Sequence, residues 1–335
     1  MRELLPDLEH WLKAGERVAL ATVISTWGSA PRPPGSFMAV SEGGGLVGSV
    51  SGGCVEGAVI QAAQEVIRTG RPQRLHFGVA DETAWEVGLA CGGEIDVLVQ
   101  PAQPDFLSTL LDRSKAQQRS VLATVVGGPP AELGAQLLVD DKGARLAGSN
   151  GKLVTQEALA RVGNHATLIS QGDRDILLTP LGASPTLVIV GGGHIAVALA
   201  SIARTLDFRS VIVDPRKTFA SAERFAHADR LIQVWPQKAF EDFQLNSSSA
   251  VACLSHDPKI DDPALRAAFA SDAFYIGALG STKTQAKRRQ RLIEAGVSEA
   301  TLARLHAPIG VDIGAVTPEE IALAIMAQVI AAYRQ

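Results

Sequence analysis

Two cysteines in the N-terminal half are each followed or preceded by glycines, in settings that could make a thiol reactive. Cys54 stands in GSVSGGCVEG just before a predicted helix, and Cys91 stands in GLACGGEID just before a predicted strand. Consecutive glycines such as Gly52 and Gly53 can turn backbone amides toward one point and form an anion nest. The start of a helix also favours thiolate over thiol. These residues therefore predict a site for an anionic ligand or a soft metal. Cys54 is the first candidate for a metal contact, and Cys91 is the second.

Ordinary packing is the alternative for these thiols, because a free cysteine is often a small buried residue. Neither Cys54 nor Cys91 has a C-x-x-C partner or a nearby histidine, which argues against zinc. Cys253 stands inside the apolar run SAVACLS and is predicted to be such a core residue.

The C-terminal half contains the spacing of a dinucleotide-binding turn. The segment TLVIVGGGHIAVALASIARTL has the pattern strand, glycine turn, helix, and Gly191, Gly193 and Ala196 fill the positions of G-x-G-x-x-G/A. Gly191 permits the tight turn, and Gly193 lets the backbone approach a pyrophosphate. The amide groups at the helix start, where His194 stands, would then face the phosphates.

Further candidate ligand contacts stand at the ends of later predicted strands. Asp214 follows the turn by about twenty residues, where an acid accepts ribose hydroxyls. Arg216 could hold a 2′-phosphate, so the pattern predicts NAD or NADP, with an empty Rossmann site as the alternative. His256 and Asp257 end another strand, at the edge where parallel sheets bind ligands, although simple helix capping explains them equally well.

A basic run follows in GSTKTQAKRRQRL. It places Lys283, Lys287 and Arg291 on one helical face, beside Arg288 and Arg289. This face could attract a phosphate or an acidic partner, or it could simply be solvated.

The elements that position the cysteines follow from hydrophobic periodicity. Residues 1–14 predict an amphipathic helix, and a second helix is predicted from about Val55 to Arg68. Short β-branched runs between glycines predict strands at 18–25, 36–40 and 94–100.

An internal repeat links these strands to later ones. Three segments have echoes further along the chain, at Arg17 and Arg119, at Gly35 and Gly134, and at Gly93 and Gly172. We predict two related β-rich units over roughly 15–101 and 117–180, the second without the long helix. Chance similarity among glycine-rich strands is the alternative.

The repeat also bears on the thiols. The alignment pairs Cys54 with Lys152 and Cys91 with Ser170, so both sulfurs belong to the first unit. One shared ligand site explains this better than two packing roles. We therefore expect the two thiols within roughly 10 Å of each other, unbonded in a reducing compartment.

From about residue 184 the pattern changes. The runs TLVIV, SVIVD, SAVACLS and AFYIGAL alternate with helical segments, which is typical of a doubly wound parallel sheet. Thr317 to Glu320 has the pattern of a capping box at the start of the last helix. The fold class predicted is α/β, with a β-rich α+β domain over 1–182 and a Rossmann-type nucleotide-binding domain over 185–335.

Composition narrows the class of protein. The chain has 335 residues, a net charge of −4, 46% hydrophobic and 20% charged residues, and three cysteines. The charge gives no reason to expect nucleic-acid binding. Since no apolar run reaches about 18 residues and the N-terminus is no secretory signal, we expect neither a membrane span nor export. Few cysteines fit a reducing cytoplasm.

Taken together, the motifs resemble the XdhC/CoxI family of xanthine dehydrogenase accessory proteins. The resemblance covers nearly the whole chain and rests on seven ordered blocks. These are GSVSGGCVEGAV, GLACGGEIDVLVQP, VIVGGGHIAVALA, VDPR, SHDPKIDDPAL, YIGALGSTKTQAKRRQRL and PIGVDIGAVTPEEIALAI.

The resemblance implies a function. The protein would bind molybdenum cofactor, support its sulfuration and insert it into xanthine dehydrogenase or a related molybdenum hydroxylase, as a chaperone without turnover of its own. It further implies contact with a cysteine desulfurase and a homodimeric state. Cys54 matches the family's cofactor-binding cysteine, and Cys91 matches its second glycine-flanked cysteine.

Two other classes of function stay open at this stage. The complete nucleotide fingerprint also fits an NAD(P)-dependent oxidoreductase, although no Tyr-x-x-x-Lys pair or catalytic His and Arg set is evident. A nucleotide-sensing regulatory subunit is the other.

Overall fold

The computed structural model describes residues 2–28, 32–78, 93–140, 142–148, 153–160, 162–182 and 184–334, in two compact units. The units are Met1–Ala183 and Ser184–Gln335. The predicted fold class is confirmed, because antiparallel sheets make up the first unit and a parallel sheet with helices makes up the second.

The first unit contains two five-stranded antiparallel sheets with the same strand order, β3-β2-β1-β5-β4 and β8-β7-β6-β10-β9. Its strands are β1 Val18–Trp27, β2 Phe37–Ser41, β3 Leu46–Gly48, β4 Gln73–Phe77, β5 Glu94–Pro101, β6 Ser120–Gly127, β7 Gln136–Asp140, β8 Arg145–Gly148, β9 Thr167–Gln171 and β10 Arg174–Leu181. Its α-helices, after a 3-10 turn at Arg2–Leu4, are α1 Leu5–Ala14, α2 Glu56–Thr69, α3 Pro104–Lys115 and α4 Gln156–Ala160. An internal duplication predicts such a matched order.

The repeat is longer than the sequence alignment indicated. Each sheet is preceded by a helix, α1 or α3, and each has a helix between its third and fourth strands, α2 or α4. Both leading helices begin with a Pro-Asp pair, Pro6-Asp7 in α1 and Pro104-Asp105 in α3. The second repeat lacks the long helix, as expected, but a five-residue helix, α4, stands at that place.

Matched residues of the two repeats meet where the sheets face each other. Ile24 and Leu98 of the first repeat join one apolar cluster with their counterparts Val126 and Leu177. Such equivalent contacts are what a two-fold relation between the repeats produces.

Two matched glycines make this approach close. A Cβ on Gly35 would lie 2.6 Å from Cβ of Ala166, and a Cβ on Gly134 would lie 2.7 Å from Cγ of Pro72. Ala166 and Pro72 immediately precede the matched strands β9 and β4. Each repeat therefore presses a glycine turn against the same place on the other.

The outer face of the first sheet is covered by helix α2, whereas the short helix α4 packs only partly buried side chains against the second sheet. Helix α2 buries Val59, Ala63 and Val66, which recur at helical spacing, in the cluster formed by β1, β2 and β5. It ends where Gly70 adopts a left-handed conformation and its N–H donates to the carbonyl of Val66. The inner faces of the two sheets thus pack against each other. The loop before helix α2 takes no part in this packing, so its side chains can form a functional site.

The second unit is a six-stranded parallel sheet of order β13-β12-β11-β14-β15-β16. Its strands are β11 Thr186–Val190, β12 Arg209–Val213, β13 Arg230–Ile232, β14 Ser249–Cys253, β15 Tyr275–Ala278 and β16 Leu305–His306. Its helices are α5 His194–Thr205, α6 Pro236–Asp242, α7 Pro258–Phe269, α8 Thr282–Glu294, α9 Glu299–Leu302 and α10 Pro318–Arg334. Strand order reverses at β11, where its neighbours are β12 and β14, so the carboxyl ends there form the usual ligand crevice.

Both faces of this sheet are covered by helices. Leu187 and Ile189 of β11 pack in one cluster with residues of α5 and α10. The alternate residues Val188 and Val190 pack in a second cluster with residues of α7 and α8. This alternation explains why β11 is apolar throughout.

The basic helix α8 is anchored to α7 rather than left as a free cationic face. Arg288 is buried and its Nη2 lies 3.1 Å from Oδ2 of the buried Asp261, while Nε of Arg291 lies 2.6 Å from Oδ2 of Asp262. Arg289 also pairs with Glu299 of α9, so three of the five cations predicted to attract a phosphate or an acidic partner are engaged inside the unit. Within the described ranges, no helix has the length and apolarity needed to cross a bilayer.

Two equivalent glycines give a test of the duplicated turn. Gly48 and Gly148 have φ of 80° and 92°, and a Cβ on either would overlap the carbonyl oxygen of Phe37 or Gln136. We expect Gly48→Ala and Gly148→Ala each to lower the free energy of unfolding of the protein by about 2 kcal/mol or more, measured in urea. Gly57→Ala, in α2 with open space around it, is the control and should cause no loss. Equal stabilities for all three variants would contradict the matched-turn assignment.

Candidate functional site

Cys54 lies in the loop of residues 49–55 that joins β3 to α2. Its side chain is half-buried against the outer apolar cluster of the first sheet, which also contains Phe77 and Ile95, the residues at the adjoining ends of β4 and β5. Gly52 and Gly53 are exposed, with φ of 82° and 127°. These left-handed values are open to glycine and turn the loop's amides inward.

The inward-facing amides all point at the carboxylate of Glu56, the first residue of α2. Four amides donate to it, from Val50 at 3.2 Å, Ser51 at 2.9 Å, Gly52 at 3.0 Å and Gly53 at 2.8 Å. The hydroxyl of Ser49 also donates to it, at 2.7 Å, as does the hydroxyl of Ser51. The nest predicted from the glycines thus exists, and the anion inside it belongs to the chain itself.

This environment acts on the Glu56 carboxyl in two directions. Burial raises its pKa, and the hydrogen bonds from Ser51, Ser49 and the backbone lower it, to a net value of about 2. Glu56 is therefore fully ionised at neutral pH. Sequence reasoning missed this residue, although an acid in the first turn after a glycine pair was a visible signal.

The second repeat has neither the thiol nor the acid. The loop from β8 to α4 spans residues 149–155, the same length as 49–55. Counting from the matched glycines Gly48 and Gly148 places Val154 opposite Cys54 and Gln156 opposite Glu56. Cys54 therefore pairs with Val154 and not, as the sequence alignment indicated, with Lys152. The thiol still belongs to the first repeat and has no counterpart in the second.

The other two cysteines have different outcomes. Cys253 is fully buried in β14, and burial raises its pKa well above the usual value, so its prediction as a core residue is confirmed. Cys91 lies outside the described residues. Its nearness to Cys54 and its role in a shared site therefore stay predictions. Across the described parts of the chain, no group of three or more acidic, histidine or cysteine side chains is arranged to hold a metal.

The nucleotide turn has the conformation that its glycines predict. Gly191 has φ of 103°, and a Cβ there would lie 2.6 Å from the backbone nitrogen of Ser255. Gly193 precedes α5 with open space where a Cβ would be, and His194 begins the helix with an exposed side chain. Gly191 is thus needed for packing, whereas the space beside Gly193 is available to a ligand.

Asp214 is fully buried and its oxygens are already engaged. Oδ1 accepts from the backbone N and Nε of Arg216, both at 2.9 Å, and Oδ2 accepts from the amide of Gly192 and from Nη2 of Arg216, both at 2.8 Å. Burial raises the pKa of Asp214, but the hydrogen bonds from Arg216 and Gly192, together with the charge of Arg216, outweigh this and lower it. Ribose hydroxyls could reach Asp214 only after Arg216 moved away.

The guanidinium of Arg216 is itself partly accessible. Its centre lies 4.4 Å from the ring centroid of Phe219, and the side chain is 35% exposed. Among the described residues, no hydrogen bond is made by Nη1. Asp214 thus orients a cation whose outer edge faces solvent beside the turn.

His256 follows Ser255, the residue whose backbone packs against Gly191. It is exposed and has φ of 61°, a left-handed value uncommon outside glycine. The carboxylate of Asp257 caps α7 by accepting from the amide of Lys259 at 2.9 Å. Capping therefore explains Asp257, while His256 remains a candidate ligand contact at the carboxyl end of β14.

Glu56 predicts a specific pH dependence. Its pKa in the folded protein, about 2, lies below the usual 4.5, so its contribution to stability is complete above about pH 4.5 and is lost as the pH falls toward 2. We expect wild type to exceed Glu56→Gln in free energy of unfolding at neutral pH, and this gap to shrink below about pH 4.5. Urea titrations over the pH range measure it. Glu65→Gln, which removes an exposed partner of Arg68, should show little gap at any pH. A Glu56→Gln gap independent of pH would contradict the assignment.

Two family models match parts of this amino-acid sequence. The family model described as XdhC Rossmann domain matches residues 187–329, and the one described as XdhC and CoxI family matches residues 11–78. The Escherichia coli molybdenum cofactor insertion chaperone PaoD is 30% identical over 98% of this chain and 87% of its own. A Bacillus subtilis protein described as one of the probable subunits of xanthine dehydrogenase is 26% identical over 96% of this chain and 95% of its own.

One solved structure supports the same fold. A Bacillus halodurans protein described as a xanthine dehydrogenase superposes with a TM-score of 0.74, covering 98% of this chain and 95% of that one, at 24% identity. At this identity the superposition establishes the fold alone. On the sequence matches along almost its entire length, the chain belongs to the XdhC and CoxI family.

Proposed function

We propose that this protein is an accessory chaperone that binds molybdenum cofactor and inserts it into xanthine dehydrogenase or a related molybdenum hydroxylase. The observation that carries the proposal is the 30% identity to a molybdenum cofactor insertion chaperone along 98% of this chain. The half-buried thiol of Cys54, held at the start of α2 beside two exposed glycines, supplies the chemistry that such a role needs.

The residues around Cys54 fit one part of this cofactor and not another. A thiolate is a soft ligand that suits molybdenum, and Cys54 is half-buried next to the exposed Gly52 and Gly53. The nest of amides does not fit the cofactor's phosphate, because Glu56 fills it. When bound, the cofactor would supply a molybdenum centre that carries a terminal sulfido ligand. The chain's own part is to hold that centre at Cys54 and to cover it until transfer.

The proposal includes the steps around transfer. Support of sulfuration by a cysteine desulfurase and a homodimeric state follow from the family resemblance, and a cytoplasmic location follows from the few cysteines. In the proposed site Cys54 contacts the metal, and Cys91 is a second candidate contact. The protein acts on the cofactor without catalytic turnover of its own.

For the second unit we propose binding of NADP(H) in preference to NAD(H). Both oxygens of Asp214 are used by Gly192 and Arg216, so the buried acid is a poor acceptor for a free ribose diol. The partly exposed guanidinium of Arg216 suits a 2′-phosphate instead. Gly193 and His194 stand where the pyrophosphate would meet the start of α5. His256 would lie at the same crevice.

The open space beside Gly193 also favours a second candidate function. A usable nucleotide site fits an NAD(P)-dependent oxidoreductase or a nucleotide-sensing regulatory subunit. Oxidation or reduction of added nucleotide by the purified protein would support the first of these over the chaperone.

Replacing Cys54 tests the chaperone proposal. Cys54→Ser keeps the size of the side chain and the turn but loses the soft ligand, so we expect retention of molybdenum cofactor after desalting to fall at least about tenfold. Activation of an apo molybdenum hydroxylase should fall with it. Cys253→Ala, in the core of β14, is the matched control and should retain cofactor once its folding is verified. Equal retention and activation by wild type and Cys54→Ser would sink the proposal.

Calorimetry with NAD⁺ and NADP⁺ tests the nucleotide proposal. Gly193→Val fills the open space and should abolish binding of both nucleotides without loss of thermal stability. Arg216→Ala should weaken NADP⁺ binding at least about tenfold, because a charge-assisted contact to phosphate is lost. NAD⁺ binding should not weaken, because Asp214 then becomes open to the ribose hydroxyls. Arg204→Ala, an equal charge change near the other end of α5, is the control. Unaltered binding by Gly193→Val, or equal loss for both nucleotides in Arg216→Ala, would refute the respective assignment.

A further inference from the structure

The backbone on both sides of Cys54 is fixed by one network that starts at Glu56. The amide of Gly53, just before Cys54, donates to Oε2 of Glu56 at 2.8 Å. The amide of Val55, just after Cys54, donates to Oγ of Ser51 at 3.0 Å, and that hydroxyl in turn donates to Glu56. Val55 itself is fully buried. The backbone next to Cys54 is thus held in place, and its half-buried side chain is the group proposed to meet a ligand.

We propose that Glu56 is the positioning residue for Cys54, and that it closes the loop's amide nest to external anions. The inference rests on the proposed cofactor-binding role of Cys54. The cofactor is accordingly held at the thiol side of the loop, and its phosphate is bound by groups other than the amides of residues 50–53.

Hydrogen-bonding capacity supports the closure of the nest. An ionised carboxylate accepts at about four lone-pair positions, and Glu56 receives four amides and two hydroxyls. A phosphate could enter only by displacing this carboxylate from all its donors. It would then place two anions against each other at a partly buried site, which is unfavourable.

A helix cap alone does not explain the arrangement. The matched loop of the second repeat has the same length and leads into α4 with Gln156 where the first has Glu56. The matched helix thus starts with a neutral side chain at that position. The carboxylate accompanies the thiol, and the pair is present in the first repeat only.

Thiol alkylation combined with anion rescue tests this positioning role. Iodoacetamide modification of Cys54 is followed by mass spectrometry of its own peptide, which separates it from Cys91 and Cys253. Glu56→Ala empties the nest and frees the loop, so we expect Cys54 to be alkylated at least about fivefold faster than in wild type. Sodium formate should refill the nest and return the rate toward that of wild type. Glu65→Ala, on the same helix, should match wild type with and without formate.

Three results would overturn the inference. In the first, Cys54 of Glu56→Ala is alkylated no faster than Cys54 of the wild type, and in the second, formate does not change the rate in Glu56→Ala. In the third, inorganic phosphate changes alkylation of Cys54 in the wild type by more than chloride does at equal ionic strength. If circular dichroism shows that Glu56→Ala does not fold, Glu56→Gln replaces it. Faster alkylation in Glu56→Gln then supports the role, and a wild-type rate overturns it.

Failure of the proposed function can be told apart from failure of this inference. If Cys54→Ser retains cofactor like wild type, the binding role of Cys54 is wrong, while alkylation and formate still decide what Glu56 does. If Cys54→Ser loses cofactor and Glu56→Ala retains it in full, only the positioning role is overturned. Loss of cofactor in both variants, with formate restoring retention in Glu56→Ala alone, supports both.

Discussion

The packing of one repeat against its copy is the constraint on which the first unit depends. Gly35 and Gly134 let each repeat press close to the other, and the matched pairs Ile24 with Val126 and Leu98 with Leu177 fill the space between them. Because each inner face needs the other copy to be buried, neither repeat can change that face alone. The outer faces and the loops at their helix starts are free of this requirement. The thiol and the acid of the first repeat stand on that side.

Internal duplication therefore separates stability from chemistry. One copy keeps the short helix α4, in which no residue is fully buried, and a loop without sulfur. The other has the long helix α2, whose start carries Cys54 and Glu56. The two loops have the same number of residues, and they differ in the side chains that stand before and at the helix start.

Much of the architecture could be predicted because it depends on local periodicity. The predicted strands at 18–25, 36–40 and 94–100 and the predicted helix at 55–68 agree with the structure within about two residues, which is the usual uncertainty of element ends. The predicted capping box is confirmed, since the amide of Glu320 donates to Thr317 and the amide of Thr317 donates to Glu320. Signals of this kind involve residues close in sequence.

What escaped prediction depends on conformation or on distant partners. The reach of Glu56 into its loop requires left-handed values at Gly52 and Gly53, which no spacing rule specifies. The burial of Arg288 depends on an acid 27 positions away on another helix. The leading helices α1 and α3 were missed as repeat members because their sequences share little besides the Pro-Asp pair in the first turn.

The two candidate sites share one physical feature. In each, a glycine turn points an amide at a carboxylate of the chain, Gly52 and Gly53 at Glu56 and Gly192 at Asp214. A glycine-rich turn is usually assigned to a ligand anion, yet a buried amide must have an acceptor whether or not a ligand is present. An internal carboxylate meets that need, and it fixes the turn before any ligand arrives. The group proposed to meet the ligand is then a neighbour, the thiol of Cys54 in one unit and the guanidinium of Arg216 in the other. In both proposed sites the acid would orient the residue that binds and leave the binding itself to that residue.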